Sequence, residues 1–493
     1  MRLILNIFSS IFPNLEEKNG NRETERVIDA SIRLPVLGMI KASIAWLAFA
    51  LILGICSSMQ LHDPTFGAGS SILTYGKVNP AFWNALVYGW AFNAAWAVGA
   101  WILVRLSGVA LTNGFALIVS STAWNIGLTI GIFGIFIGHQ NPYKFLEMPS
   151  YVMPFILVSF VATGVWGLMT FKARLHRSSY ASQWYLIVAL FAFAWLFMGA
   201  QAMLFYTGVQ GSFQYLVGSW YADGLINLAI APVAFATLYY LIPKTLGTHV
   251  LGYRYSGSAF WFWILFASAS GVSLMVNGPI PAWVASAGVI ASFGLMAPGL
   301  TLGMQFFSSC FSQFERVWET VSMRFVFMGL IGFAYYLWHV CFGSLRISAD
   351  TVQFTTYESG VQFVGLVGFA GMIFTGATYF ILPRLLNKNI PQNGMVELQY
   401  WLQILGTITV AVGMIYGGES TGELMNQSTA SVATIQKGAT PYHVAVTFGF
   451  VMLLIAAVAY AINFAWLLAS DRSEEEESAE LIGQSPDLEY KTS

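Results

Sequence analysis

Apolar runs alternate with short polar connections along almost the whole chain. Crossing the hydrocarbon core of a bilayer takes about 20 apolar residues in helical form. Twelve such runs are centred near residues 47, 93, 126, 160, 195, 230, 267, 294, 333, 371, 410 and 456. Each is expected to be a transmembrane helix. The connections hold most of the charge, with Gly–Pro pairs and Asn. Only residues 1–34, the 418–442 connection and the tail from Asp471 are long and polar. The tail, DRSEEEESAELIGQSPDLEYKTS, is acidic and poor in aromatics, a composition that buries too little apolar surface to fold. The expected organisation is a cytoplasmic N-terminal segment (1–34), a twelve-helix membrane domain (35–470) and a disordered acidic cytoplasmic tail (471–493). The opening MRLILNIFSSIF is followed by charged residues rather than a small-residue cleavage site, so it is read as a surface-lying amphipathic segment.

Composition fixes the class. Hydrophobic residues make up 57% and charged residues 9% of the chain, against roughly 25% charged in a soluble domain. Most of the exterior must therefore face lipid, in an all-α polytopic protein. A net charge of −1 leaves no electrostatic footprint for a nucleic acid. Cys56, Cys310 and Cys341 form no CxxC and read as buried thiols. Seventeen of the 22 basic residues fall in segments on the N-terminal side of the membrane. By the positive-inside rule both termini are cytoplasmic. Aromatics reach 16% and cluster in YGWAFNAAW, SWYAD and YYLWH. They suit interfacial belts and helix packing, or the walls of a planar cofactor.

Local motifs narrow the fold. From Trp220 the chain reads WYADGLINLAIAPVAFATLYYLIPK. This resembles helix six of subunit I of the cbb3-type cytochrome c oxidases, a branch of the haem–copper oxidases, which opens WYGHN and closes YYF-x-PK. The following GYRYSGSAFWFWILFASASGVSLMVNGPIPAW is similar to the family's helix-seven run, with Tyr253, Arg254, Phe260, Trp261, Pro281 and Trp283 in step. Gly365, Gly368, Gly371, Gly376, Tyr379 and Pro383 keep the glycine spacing of family helix ten. Asn84, Ala85, Gly89 and Asn93 keep that of helix two, and Arg324–Phe325 opens a helix like the ninth. The resemblance runs in order from about residue 75 to 390 and implies a haem–copper oxidase subunit I-like bundle in a bacterial inner membrane.

The resemblance also implies six histidines, for two haems and one copper, because iron and copper need nitrogen lone pairs in fixed geometry. The chain has six in all: His62, His139, His176, His249, His339 and His443. None stands at a family ligand position. The haem-ligand positions carry Phe82, Val361 and Phe363; the copper-ligand positions carry Asp223, Ser273 and Leu274. The bulk of several replacements suggests refilled volume, since cavities cost about 24 cal/mol per Å3. No cofactor is expected, with haem b the alternative.

Three polar residues remain candidates. Asp223, near the outer end of span six, is either hydrated from outside or a protonated or paired intramembrane carboxyl. His339 stands where the family has a Glu; it is a core histidine bonded to a tyrosine such as Tyr335 or Tyr336, or takes part in proton movement or ligand binding. Tyr253 matches the family tyrosine that is crosslinked to a copper ligand, and here can only pack or hydrogen-bond.

Three functions compete. The first is a haem- and copper-free structural or accessory subunit of a respiratory complex, with membrane-anchored c-type cytochromes as partners. The second is a proton or small-solute transporter using the vacated cavity. The third is a catalytic cytochrome c oxidase or nitric oxide reductase subunit, which needs the missing histidines.

Overall fold

The computed structural model describes residues 22–111, 114–175, 178–388, 394–427 and 429–469. Among these, every regular element is helical. Eleven helices are long and apolar enough to cross a membrane. They are α1 (Arg22–His62), α2 (Tyr75–Ser107), α3 (Gly114–Ile137), α4 (Ser150–Lys172), α5 (Ala181–Tyr206), α6 (Ser212–Leu246), α8 (Ala282–Phe311), α9 (Val321–Gly343), α10 (Thr356–Leu386), α11 (Gly394–Met425) and α12 (Val432–Ala469).

The expected span near residue 267 differs. Its helix, α7, covers only Ser256–Ala267 and passes into a 3-10 turn at Ser270–Met275. Twelve helical residues reach about 18 Å, well short of the roughly 30 Å hydrocarbon core. The cause is crowding. A Cβ at Gly271 would lie 2.7 Å from both Asp223 Cβ and the Ser219 carbonyl of α6, and one at Gly288 of α8 would lie 2.5 Å from the Ser273 nitrogen. The broken backbone is thus wedged between α6 and α8, where a full helical cylinder has no room.

Two further expectations change at the ends. Residues 22–34 continue α1 rather than forming a separate segment. Ile28 and Ile32 are buried there. Arg105 of α2 pairs with Glu25 at 2.8 Å and Asp29 at 3.4 Å, and Trp101 Nε1 donates to Asp29 at 3.0 Å. Residues 1–21 and the tail from Asp471 lie outside the described residues. The 418–442 connection is mostly helix. Gly417 and Gly418 let α11 pass close to Tyr442 and Tyr357, and α12 begins at Val432. Both α1 and α12 have their chain-terminal ends at one end of the bundle, here the near end; the opposite end is the far end.

The core is set by three helices. The apolar windows of α2, α6 and α10 are 94, 100 and 100% buried, while those of the other spans are 39–56% buried. A helix apolar all round is a buried helix, and the outer ring shields these three. Outward residues of α3 and α4, such as Phe115, Phe133 and Val158, stay exposed, as a lipid-facing surface requires. Each central helix also widens into a π-helical stretch, at Ala85–Ala91, Leu225–Ile230 and Val364–Gly371. Such stretches free backbone carbonyls. Neighbouring indoles take some of them: Trp124 Nε1 donates to the Tyr88 carbonyl at 3.0 Å, and Trp263 Nε1 to the Asn227 carbonyl at 2.9 Å.

Candidate functional site

The three central helices hold most of the positions at which cofactor ligands are expected. Phe82 is on α2, Asp223 on α6, and Val361 and Phe363 on α10, each within about three residues of a π-helical stretch. Phe82 and Phe363 are fully buried. Both rings meet Phe450 of α12: Phe82 at a centroid distance of 5.3 Å and 74°, Phe363 at 5.8 Å and 88°. On the other side α1 closes in, because a Cβ at Gly54 would lie 3.0 Å from Phe82 Cε2. The two expected haem-ligand positions are joined by edge-to-face ring contacts, a favoured aromatic geometry. Three phenyl rings offer iron no lone pair and occupy the space between those positions. These residues do not fit a haem held between α2 and α10. Val361 is buried as well and brings no donor.

The expected copper side is polar. Ser270 of the broken segment and Asn227 one turn on both donate to the Asp223 carboxylate, Asn227 Nδ2 at 3.1 Å. Tyr336 of α9 donates to Asn227 Oδ1 at 2.9 Å. Ser273 donates to the Ser270 carbonyl at 2.9 Å, and Ser292 of α8 to the same carbonyl at 2.7 Å and to Ser273 Oγ at 3.0 Å. The side chain of Leu274 lies outside the described residues. One carboxyl, hydroxyls and an amide are not a copper donor set, since copper selects imidazole and sulfur. Among the described residues, no three His, Cys, Asp or Glu side chains converge to hold a metal.

His339 and Tyr253 fall apart from this cluster. His339 Nδ1 bonds Tyr357 OH of α10 at 2.9 Å. The expected partner Tyr335 instead packs its ring 4.4 Å from the imidazole, and Tyr336 is engaged with Asn227. The reason is direction: residues 335 and 336 lie within a turn of His339 on the same helix, and α10 supplies the hydroxyl that faces its ring edge. Tyr253 sits at the near end, where its hydroxyl accepts from the Ala181 amide at 3.0 Å and caps α5. The twelve-residue α7 separates it from Ser270. His62 bonds Thr447 at 3.1 Å, and His176 lies outside the described residues.

A second polar group has no counterpart among the sequence expectations. The loop before α4 folds down onto α2, with Phe145 in the left-handed region at φ 61°. Its carbonyl accepts from Tyr88 OH at 2.6 Å, and Tyr88 OH also meets Tyr221 OH of α6 at 2.6 Å. Glu147 in that loop is buried and accepts from Asn84 Nδ2 at 2.7 Å. Burial raises its carboxyl to about 7, opposed by the Asn84 bond and the nearby Lys144. Lys144 itself pairs with Glu358 of α10 at 3.1 Å. The only advance signal for Glu147 is its place in a short charged connection.

Comparison with known proteins places this arrangement. Residues 35–462 match the sequence profile of the family described as cytochrome c and quinol oxidase polypeptide I. The chain belongs to this family. It is 22% identical over 475 residues to a cytochrome c oxidase subunit 1 homolog of Agrobacterium tumefaciens (strain T37), covering 91% of this chain and 86% of that one. It is 21% identical over 390 residues to the cbb3-type cytochrome c oxidase subunit CcoN1 of Stutzerimonas stutzeri, covering 77% and 82%. In three dimensions it matches a chain of a haem–copper terminal oxidase dimer solved by cryo-electron microscopy, with a TM-score of 0.72 at 12% identity over 93% of this chain and 86% of the other. The resemblance to subunit I and the all-helical membrane fold are thereby borne out.

Proposed function

We propose that this chain is a haem- and copper-free member of the oxidase subunit I family that serves as a structural or accessory subunit of a respiratory membrane complex. The observation that carries the reading is the ring contact of Phe82 and Phe363 with Phe450. A site that had lost its ligands without repacking would leave a large void, and voids are costly at about 24 cal/mol per Å3. Here aromatic side chains from α2, α10 and α12 fill the gap, and the copper side closes through its own hydrogen bonds. The family profile meanwhile matches residues 35–462, nearly the whole chain, so surfaces that serve its relatives as oxidase subunits can persist. Membrane-anchored c-type cytochromes are the expected partners, in a bacterial inner membrane with both termini cytoplasmic. The test is cofactor content in the complex purified from its native membrane. Pyridine haemochrome analysis and metal determination should assign no haem and no copper to this chain, while c-type cytochrome subunits co-purify. About one haem per chain would overturn the reading.

A further inference from the structure

Asp223 is a half-buried carboxyl at the edge of the fully buried stretch of a central span, yet among the described residues none of the ion pairs includes it. Its hydrogen-bond partners are neutral, the Ser270 hydroxyl and the Asn227 amide. The charge that acts on it is Glu358, of like sign and already paired with Lys144. A bare carboxylate in such a place carries a large desolvation penalty with no cation to offset it. Binding a proton removes the charge and leaves every observed hydrogen bond possible.

The surroundings give the site a direction. Tyr336 ends the polar chain that starts at Asp223 and runs through Asn227. Beyond Tyr336 the packing is aromatic. Phe333 meets Phe369 at 4.8 Å and Phe235 at 5.3 Å, and Phe235 meets Trp263 at 4.9 Å. A Cβ at Gly365 would lie 2.7 Å from the Tyr336 ring, so α10 seals that side. Toward the far end lie the Ser270, Ser273 and Ser292 hydroxyls and the partly exposed Lys144–Glu358 pair. The titratable groups facing the site are Tyr336 and, through the Ser292 carbonyl, Cys341 from α9, and Glu358 from α10. The broken segment after α7 brings only hydroxyls, and α5 brings Leu196 against Gly224. Glu147 and Tyr88 reach α6 at Tyr221.

We propose that Asp223 is a proton-binding site, loaded from the far end of the bundle and closed toward the near end. A protonated carboxyl then stands where the resemblance puts a copper ligand. The site stores a proton and does not conduct one. The inference rests on the metal-free reading above, and copper analysis of the same sample separates the two. Copper bound at the site sinks that reading; a metal-free sample without a protonated carboxyl sinks only this one.

The experiment uses the full chain in nanodiscs and in sealed proteoliposomes. Infrared spectroscopy at neutral pH, in a Glu147→Gln background that removes the buried loop carboxyl titrating at about 7, should show a protonated-carboxyl carbonyl stretch that is lost on adding Asp223→Asn and retained on adding Glu358→Gln. Should Asp223→Asn fail to assemble, Ser270→Ala, which removes a donor to the same carboxyl, should shift that band. A membrane-impermeant carbodiimide should label Asp223, read by peptide mass spectrometry, when added on the far-end side alone. Absence of the band, its persistence in Asp223→Asn, or labelling from the near-end side would overturn the proposal. So would a proton flux in proteoliposomes that Asp223→Asn abolishes; none is expected.

Discussion

Phe363 of α10 meets Phe450 of α12 edge to face, 5.8 Å between ring centroids and 88° between planes. The same Phe450 ring also takes Phe82 of α2, so one side chain ties together three helices. Truncating it should open a void that α1, α2, α10 and α12 cannot close without moving. Phe450→Ala is expected to destabilise the bundle by about 3–5 kcal/mol, seen as a lower unfolding temperature in detergent. An unchanged transition would show that the rings do not hold the helices together.

The same geometry predicts what it takes to make a haem site. Restoring imidazole at both positions, in Phe82→His with Phe363→His, should give little haem binding, because Phe450 still stands between them. Adding Phe450→Gly removes the obstruction. Haemin titration followed by absorbance should show a low-spin bis-imidazole spectrum in the triple variant and a much weaker one in the double. Equal binding in the two variants would mean that ligand loss alone, and not refilled space, separates this chain from a haem protein.

How much of this is legible in the sequence differs by feature. The spans follow from apolar run length, and the membrane class from 9% charge, because lipid imposes both. The fate of the run near residue 267 does not follow. Its break depends on how closely α6 and α8 approach Gly271 and Gly288, a tertiary property that hydropathy does not contain. Phe82 and Phe363 can be found by alignment to a motif. Phe450 cannot, since a phenylalanine in an apolar span carries no local mark of its neighbours. For His339, sequence proximity favours Tyr335 and Tyr336, whereas the true partner, Tyr357, arrives from another helix. Glu147 is invisible because a charged loop residue is normally solvated, and only the downward fold of the loop buries it.

Close backbone crossing gives a sharper packing test. α9 and α10 cross at Gly332 and Gly368, where any Cβ on Gly332 would overlap the Gly368 carbonyl. Backbone cannot yield as a flexible side chain can, so Gly332→Ala should destabilise by about 1–3 kcal/mol through overpacking. A Cβ added at Gly303 of α8 would meet nothing within 4 Å. Gly303→Ala should therefore be neutral or slightly stabilising, since alanine is the better helix former. Thermal unfolding of the two variants side by side decides the matter; similar transitions would contradict the crossing.

Glu147 makes stability depend on pH. Its carboxyl titrates at about 7 in the folded protein, raised by burial from an ordinary 4.5. Between those values the folded state holds a proton that the unfolded chain has released. Stability is therefore greatest below pH 4.5 as far as this group is concerned, falls as pH rises, and levels off once the folded carboxyl has ionised above about 7. The full difference is roughly 3 kcal/mol, because each tenfold change in proton affinity is worth about 1.4 kcal/mol. Glu147→Gln removes the ionisation and leaves an amide oxygen to accept from Asn84. The unfolding temperature of the wild type should drop between about pH 5 and pH 8, and that of Glu147→Gln should drop by less. Parallel curves for the two proteins would show that the buried carboxyl is not the group responsible.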